Sequence, residues 1–138
     1  MVKKRESKSE AKSEPRPEKL LTEVELELMG ILWKINEGSV NEVLLHLSPD
    51  RKLAYTSVST VLRILEQKGV VGNRKEGRGH IYFPLLGKVD YEATSLHHLV
   101  DKVFDGTPSS LVKRLFDSEK MSAEDLREIQ SLLDQRLR

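Results

Sequence analysis

One stretch of the sequence, residues 54–69, combines an apolar helical face with a face of hydrogen-bonding side chains. The apolar residues follow the spacing of an amphipathic helix, and they are Val58, Val61, Leu62 and Leu65. The other face has no carboxylate before Glu66, and its members are Thr56, Ser57, Ser59, Thr60 and Arg63. Hydroxyls and an arginine without acids suit a surface that is negatively charged and rich in acceptors, such as the major groove of DNA. Ordinary amphipathic helices also contain serine and threonine, so this stretch alone leaves both interpretations open.

A second group of basic residues follows in a segment punctuated by glycine. Residues 74–79 read RKEGRG, and short apolar runs on both sides predict a two-stranded hairpin with this segment as its tip. The tip would place Arg74, Lys75 and Arg78 beside a phosphate backbone or in a minor groove. A solvated hairpin tip would have the same composition, and that is the alternative interpretation.

The charge of the chain is unevenly distributed although its formal net value is only +1. Residues 50–84 contain seven basic and three acidic side chains, whereas residues 88–138 contain eight basic and ten acidic ones. The basic segment includes the turn Arg51–Lys52, just before the hydroxyl-bearing helix. Such a patch between neutral or acidic neighbours favours a polyanionic partner.

The composition restricts the class of protein. With 138 residues, 38% of them apolar and 33% charged, the chain is expected to form one globular domain or two small units. The absence of cysteine excludes disulfides, thiol chemistry and cysteine-ligated metals. No apolar run is long enough for a membrane span and the N-terminus is charged, so we expect a cytoplasmic protein. The sequence also lacks a phosphate-binding loop, paired carboxylates in an apolar setting and a nucleophile with its partners. We therefore expect that the protein is not an enzyme and has no cofactor.

Helix signals surround the hydroxyl-bearing stretch. Thr22 with Glu25 forms a capping box, and the helix it opens has an inward face of Val24, Leu28, Ile31, Leu32 and Ile35, widened by Leu26, Met29 and Trp33. Ser39 with Glu42 opens a second, short helix. The third helix starts either after Ala54, a poor N-cap, or after Thr56. Gly69 ends it. A helix-turn-helix followed by a basic hairpin predicts a winged helix over residues 21–87.

The two ends of the chain differ from this middle part. Residues 1–20 are rich in charge, serine and proline, and we expect a disordered arm that either touches nucleic acid or only aids solubility. Residues 88–138 predict three short helices with broad apolar faces, carried by Val89, Ala93, Leu96, Val100, Val103, Leu111, Leu115, Leu126, Ile129 and Leu133. These helices cannot easily close a core alone, so a second copy is expected to complete it in a two-fold homodimer. The predicted fold is mostly α with a small β wing: an N-terminal winged helix-turn-helix and a C-terminal helical dimerisation region.

From about Leu21 onward the sequence resembles the BlaI/MecI-like family of bacterial winged-helix regulators, the penicillinase and methicillin-resistance repressors. The segments that carry the resemblance are LTEVELELMGILW, AYTSVSTVLRILEQKGVV, RKEGRGHIYFPL, SLVKRLF and SAEDLREIQSLL. The resemblance implies a homodimer that represses transcription by occupying a palindromic operator of double-stranded DNA. It also implies that Tyr55, Thr56 and Ser57 contact bases and phosphates, because a Tyr-Thr-Thr sequence does so in the family. Ser59 stands where a family lysine often approaches a phosphate, so Arg63 would have to compensate.

The departures from the family pattern concern regulation. Penicillinase-type repressors are cut near an Asn-Phe step, where this chain has Arg114–Leu115, so the resemblance leaves an inducer or protease undefined. Copper-responsive relatives use C-terminal cysteine pairs, and this chain has no cysteine. His97 and His98 are adjacent and lie about 100° apart on a helix, so they cannot converge on one ion. No metal site is predicted. The alternative function is a winged-helix module that binds another protein and no specific DNA.

Overall fold

The computed structural model describes residues 20–138. Its elements in chain order are α1 (Glu23–Ile35), α2 (Val40–Leu45), α3 (Tyr55–Gln67), β1 (Val71–Glu76), β2 (Gly79–Pro84), α4 (Lys88–Val103), α5 (Pro108–Phe116) and α6 (Ala123–Leu137). The predicted fold class, mostly α with a small β wing, is confirmed. The arm predicted over residues 1–20 lies outside the described residues except for Leu20, which is half-buried against the core. The chain divides into two compact units between Ala93 and Thr94.

Local capping signals determine where the helices begin. The Thr22 hydroxyl accepts the Glu25 N–H at 3.2 Å, and the Glu25 carboxylate accepts the Thr22 N–H at 2.8 Å. Ser39 with Glu42 forms the same reciprocal pair at α2. Both predicted capping boxes are therefore confirmed. α3 begins at Tyr55 with Ala54 as its N-cap and without a side-chain capping bond, so the alternative start after Thr56 is wrong.

The core of the first unit lies between α1, α2, α3 and the hairpin. Its fully buried side chains, with relative exposure below 2%, are Leu28, Met29, Leu32, Val43, Val58, Leu62, Leu65, Val70 and Val71. The predicted inward face of α3 is thus confirmed for Val58, Leu62 and Leu65. The prediction that Leu26 widens the buried face of α1 is wrong, because its side chain is 38% exposed. Glu25 is buried on α1 instead, at 5% exposure, where it pairs with a lysine.

The hairpin is longer than the sequence predicted. Its antiparallel register runs from Val71 opposite Pro84 to Glu76 opposite Gly79, so residues 74–76 belong to β1 and the turn is Gly77–Arg78 alone. Gly77 has a φ of +61°, which suits the first central residue of a type II′ turn. The prediction of a six-residue tip is wrong, because the backbone pairing of the two strands continues through residues 74–76. The charged side chains of these residues stand out from the plane of the sheet and do not prevent the pairing.

A backbone bridge connects the end of α1 to the hairpin. The Gly38 N–H donates to the Tyr82 carbonyl at 2.9 Å, and the Tyr82 N–H donates to the Gly38 carbonyl at 2.8 Å. A Cβ on Gly38 would lie 2.9 Å from Cδ1 of Ile35, so any larger residue here would displace the end of that side chain. The bridge positions the start of α2 next to β2.

The first turn of α4 belongs to the first unit and packs against α1. The Tyr91 hydroxyl accepts the Leu21 N–H at 3.2 Å, and the Tyr91 ring lies 6.0 Å from the Trp33 ring. The Trp33 indole N–H donates to the Leu86 carbonyl at 2.9 Å, which confirms that Trp33 is a packing residue. The compact first unit therefore extends past residue 87, because Tyr91 is one of its buried side chains.

The second unit, Thr94–Arg138, consists of the remainder of α4 with α5 and α6. Ser122 and Asp125 form a capping box at the start of α6. No side chain in residues 94–138 is buried. Its large apolar residues are half-buried or exposed, among them Leu96 at 52%, Leu115 at 47% and Leu133 at 52%.

Candidate nucleic-acid interface

A groove of about 400 Å³ lies between α3 and the hairpin. It is lined by Ser39, Val40, Asn41, Tyr55, Ser59, Arg63, Glu66, Asn73, Arg78, Gly79, His80 and Tyr82. The structure therefore brings together four of the residues predicted to bind DNA: Tyr55, Ser59, Arg63 and Arg78. Three come from successive turns of α3 and the fourth from the turn of the hairpin. An elongated ligand that follows α3 could also touch the hairpin.

The remaining hydroxyls of α3 lie outside this groove but face solvent. Thr56, Ser57 and Thr60 are exposed, while Val58 and Leu62 on the opposite face are fully buried. The core thereby fixes the rotation of α3 about its axis. The first turn of α3 contains no acidic residue and its N-cap supplies no side-chain acceptor, so this end favours an anionic or acceptor-bearing ligand.

The basic residues predicted for the interface divide into free and paired ones. Within residues 20–138, Lys52, Arg63, Lys75 and Arg78 take part in no ion pair. Arg51 is paired with Glu27 at 3.0 Å.

Arg74 is the other paired residue, and it binds Glu37 through two hydrogen bonds of 2.8 and 2.9 Å. These bonds raise the pKa of Arg74 and lower that of the Glu37 carboxyl. The Arg74 side chain is thus already bound to a carboxylate of the same chain.

Strand pairing also separates Arg74 from the other cations of the wing. Side chains alternate between the two faces of a hairpin, so Asn73, Lys75 and His80 share one face. This face meets α3, because Asn73 bonds to Glu66. Arg74 lies on the opposite face and is not among the residues that line the groove.

Three side chains of the groove are linked by hydrogen bonds that were not predicted from the sequence. The Asn73 amide nitrogen donates to the Glu66 carboxylate at 2.6 Å, and the Asn73 amide oxygen lies 2.9 Å from Nδ1 of His80. Tyr82 lies next to these side chains in the groove. The pKa of its hydroxyl is raised, mainly by burial and to a smaller extent by the charge of Glu66. Alternation along the hairpin could have placed Asn73 and His80 on one face, but nothing local pointed to Glu66.

A second missed contact fixes the far end of α3. The ammonium of Lys68, the C-cap of α3, binds both carboxylate oxygens of Glu25 at 2.8 and 2.7 Å. Burial alone would raise the pKa of Glu25, but the hydrogen bonds from Lys68 and Thr22 and the charge of Lys68 outweigh it, so the pKa is lowered. One carboxylate therefore caps α1 and holds the end of α3.

The described residues contain neither a membrane-spanning helix nor a metal-binding cluster. No helix within residues 20–138 has the length and apolar character to cross a membrane. The same residues contain no cluster of three or more histidine, aspartate or glutamate side chains with a metal-binding arrangement.

A family model and several curated relatives indicate the family of this chain. The model of the family described as penicillinase repressor matches residues 21–135. The penicillinase repressor of Bacillus licheniformis is 29% identical over 115 residues, which cover 83% of this chain and 90% of that protein. The methicillin resistance regulatory protein MecI of Mammaliicoccus sciuri is 22% identical over 84% of this chain and 94% of that protein. The transcriptional regulator BlaI of Mycobacterium tuberculosis is 39% identical over 49% of this chain and 50% of that protein.

Solved structures include similar chains. The DNA-binding domain of the repressor BlaI is 33% identical, with a TM-score of 0.47 over 53% of this chain and 92% of that one. The Bacillus licheniformis BlaI monomer in complex with the blaP half-operator is also 33% identical, with a TM-score of 0.45 over 53% of this chain and 92% of that one. Because the family model covers nearly all of the described residues, the chain belongs to the penicillinase repressor family of transcriptional regulators.

Proposed function

We propose that two copies of this chain form a two-fold dimer that represses transcription by occupying a palindromic operator. In each copy α3 lies in the major groove of DNA, and the β1–β2 wing contacts the flanking backbone. The observation that carries the proposal is the groove in which Tyr55, Ser59 and Arg63 of α3 meet Arg78 of the wing.

The chemistry of this surface suits DNA better than another protein. Hydroxyls and guanidinium groups donate hydrogen bonds to base edges and phosphates, and Arg63, Lys75 and Arg78 have no internal ion pair among the described residues. The relatives named as penicillinase repressor and methicillin resistance regulatory protein support a role in repression.

The apolar side chains that one copy leaves exposed in residues 94–138 support dimerisation. Residues 94–138 bury no side chain, although α5 and α6 carry apolar residues at helical spacing. The proposed interface residues are those predicted from the sequence: Val89, Ala93, Leu96, Val100, Val103, Leu111, Leu115, Leu126, Ile129 and Leu133. A second copy would cover these side chains and present two α3 helices to one face of the duplex.

Selection of bound duplexes from a random pool tests the proposal. We expect a recovered palindrome whose half-sites are one helical turn or a multiple of it apart, and binding that weakens by orders of magnitude as salt rises from tens to hundreds of millimolar. Failure to bind any duplex at low ionic strength would refute the proposal and favour a module that binds another protein.

Variants on α3 and the wing test the assigned roles. We expect Arg63→Ala and Thr56→Ala each to cost about 1 to 3 kcal/mol at the operator and less on random duplex. Arg78→Ala should weaken binding to both about equally and reduce the salt slope by about one. Arg74→Ala is the matched control in the same hairpin, because Arg74 is ion-paired on the opposite face. The assigned roles would be refuted if all four variants lost the same affinity, on operator and on random duplex alike.

A further inference from the structure

His80 lies in the groove at a position that the predicted contacts do not include. It is exposed on β2, it lines the groove with Arg63 and Arg78, and it pairs across the hairpin with Lys75. Only one of its ring nitrogens is bound: Nδ1 lies 2.9 Å from the amide oxygen of Asn73. Nε2 makes no hydrogen bond to any part of the chain that the structure describes.

The bond to Asn73 determines which nitrogen of His80 carries the proton. A carboxylate only accepts hydrogen bonds, so the Asn73 group that faces Glu66 at 2.6 Å must be its NH2. The amide oxygen of Asn73 then faces His80, and Nδ1 must be the donor. In the neutral ring Nε2 is therefore an acceptor, and it becomes a donor only when the ring is protonated.

This arrangement limits what His80 can bind. A phosphate oxygen is an acceptor, so neutral His80 offers it no hydrogen bond through Nε2, whereas the imidazolium offers both a donor and a positive charge. We propose that His80 is a further phosphate-binding residue of the interface, that Glu66 and Asn73 act as positioning residues for its ring, and that DNA binding takes up a proton at His80. The inference rests on the proposed DNA-binding function.

The charged and titratable groups around His80 come from α3 and from the hairpin. α3 contributes Glu66, Arg63 and the Tyr55 phenol; β1 contributes Lys75; and the turn and β2 contribute Arg78 and the Tyr82 phenol. The segment 39–41 that completes the groove has no titratable side chain. Glu66 is the anionic group of the groove, and an approaching phosphate adds negative charge next to the free Nε2, which favours the imidazolium.

The sign of the pH dependence follows from this linkage. If the DNA-bound chain holds the proton more tightly than the free chain does, affinity rises as the pH falls and is lost as the pH rises. Uptake of one proton changes the binding constant by at most about tenfold per pH unit. The contact is to the backbone, so the effect should not depend on DNA sequence.

The experiment measures the affinity of the full chain for a mixed-sequence duplex at low salt, at about pH 8 and at about pH 6. We expect the wild type to bind about three- to tenfold more tightly at the lower pH, and His80→Gln to lose this gain because glutamine stays uncharged. His46→Gln is the matched control. His46 also donates from Nδ1, to the Glu42 carbonyl at 2.9 Å, but it lies outside the groove. Retention of the pH-dependent gain in His80→Gln, or its loss in His46→Gln, would overturn the assignment.

Two further variants separate positioning from mere stability. Asn73→Ala removes the acceptor for Nδ1 and should reduce the pH-dependent gain. Glu66→Ala removes the acceptor that orients the Asn73 amide, so the gain should fall here too, while affinity rises at both pH values through loss of a negative charge. Retention of the full gain in both variants would contradict the positioning role.

One readout needs no DNA. The imidazole 15N shifts of His80 in the free chain at alkaline pH should show the proton on Nδ1, and a proton on Nε2 would overturn the positioning by Asn73. Absence of binding to any duplex at either pH refutes the proposed function and the His80 contact with it. Binding whose pH dependence survives in His80→Gln refutes the His80 contact alone.

Discussion

The two compact units of the chain differ in how far a single copy buries its apolar side chains. In the first unit Leu28, Leu62 and Val70 are fully buried between three helices and a hairpin. In the second unit Leu115 and Leu133 remain about half exposed, and no side chain is buried. Both units nevertheless have well-capped helices, because the Ser122–Asp125 box of α6 has the same geometry as the Thr22–Glu25 box of α1.

The difference shows that helix formation and core formation follow from different information. Caps and periodicity specify helices locally, but helices of 9 and 15 residues such as α5 and α6 are marginal in water unless they pack against something. Burial of apolar area is the main source of that stabilisation. The first unit obtains it within one chain, whereas the second unit requires another surface, which in our proposal is a second copy.

The largest expected effect comes from the closed core. Leu62→Ala removes a fully buried side chain and should lower the free energy of unfolding by about 2 to 5 kcal/mol, because a cavity is added to the lost transfer energy. Trp33 is the single tryptophan and lies in the first unit, so its fluorescence during urea unfolding reports on that unit. The midpoint shift should be the same at every protein concentration.

Leu45→Ala serves as the control for this measurement, because Leu45 is 82% exposed and its truncation should change stability little. A loss for Leu62→Ala that grew on dilution would break the comparison, since it would mean that the first unit also depends on a partner.

The open apolar faces of the second unit give the next largest effect. Leu133→Ala should weaken association by about 1.5 to 3 kcal/mol per dimer, since the half-exposed side chain of each copy would be fully buried only in the dimer. Sedimentation equilibrium would measure this as a dissociation constant raised at least about tenfold. Gln135→Ala, on the other side of α6, should leave that constant unchanged. An unchanged dissociation constant in Leu133→Ala would remove this residue from the proposed interface.

Features of the fold that depend on residues close together in the sequence could be predicted, whereas features that depend on residues far apart in the sequence could not. The capping boxes of α1 and α2 and the stop of α3 just before Gly69, where φ is +81°, depend on neighbours in the chain and were predicted correctly. Leu26 was assigned to the wrong face because periodicity could not tell which part of a broad apolar stripe meets α3. The partly buried Glu25–Lys68 pair joins residues 43 positions apart, so no local pattern indicated it.

The candidate site shows the same limit. The hydroxyls of α3 were found because they alternate with a buried face at helical spacing, and Ser59 and Arg63 do line the groove. Arg74 was grouped with Lys75 and Arg78, because the predicted turn was longer than two residues and the face of a hairpin side chain depends on the register. Its partner Glu37 lies 37 positions away and meets it only through the tertiary fold.

An ion pair also contributes to the closure of the first unit, and its removal should have an intermediate effect. Lys68→Met leaves the buried Glu25 carboxylate without its cation and should cost about 1 to 3 kcal/mol near neutral pH. The lowered pKa of Glu25 means that this stabilisation is present above the ordinary value of 4.5 and is lost as the pH falls through the lower folded value. The wild type and the variant should therefore converge in acid, as measured by urea unfolding at several pH values.

Lys88→Met is the control for Lys68→Met, because the Lys88 side chain is 65% exposed and its pair with Glu92 spans 3.9 Å. An exposed pair of this kind contributes little, so the variant should unfold like the wild type. A cost for Lys68→Met that persisted unchanged in acid would show that Lys68 acts through packing of its stem and not through its charge.

The smallest effect compares the two units through the same backbone change. Asn36 in the first unit and Asp105 in the second both have a positive φ, of 75° and 54°, which favours glycine. Asn36→Gly and Asp105→Gly should each gain about 0.5 kcal/mol, because relief of backbone strain outweighs the extra entropy of glycine in the unfolded chain. The gain for Asn36→Gly should appear in the Trp33 unfolding midpoint at any concentration. The gain for Asp105→Gly should appear as a lower dissociation constant of the dimer. If the second unit folds only when it binds a second copy, any gain in its stability adds to the free energy of association. A concentration-independent gain for Asp105→Gly would instead show that the second unit folds within a single copy.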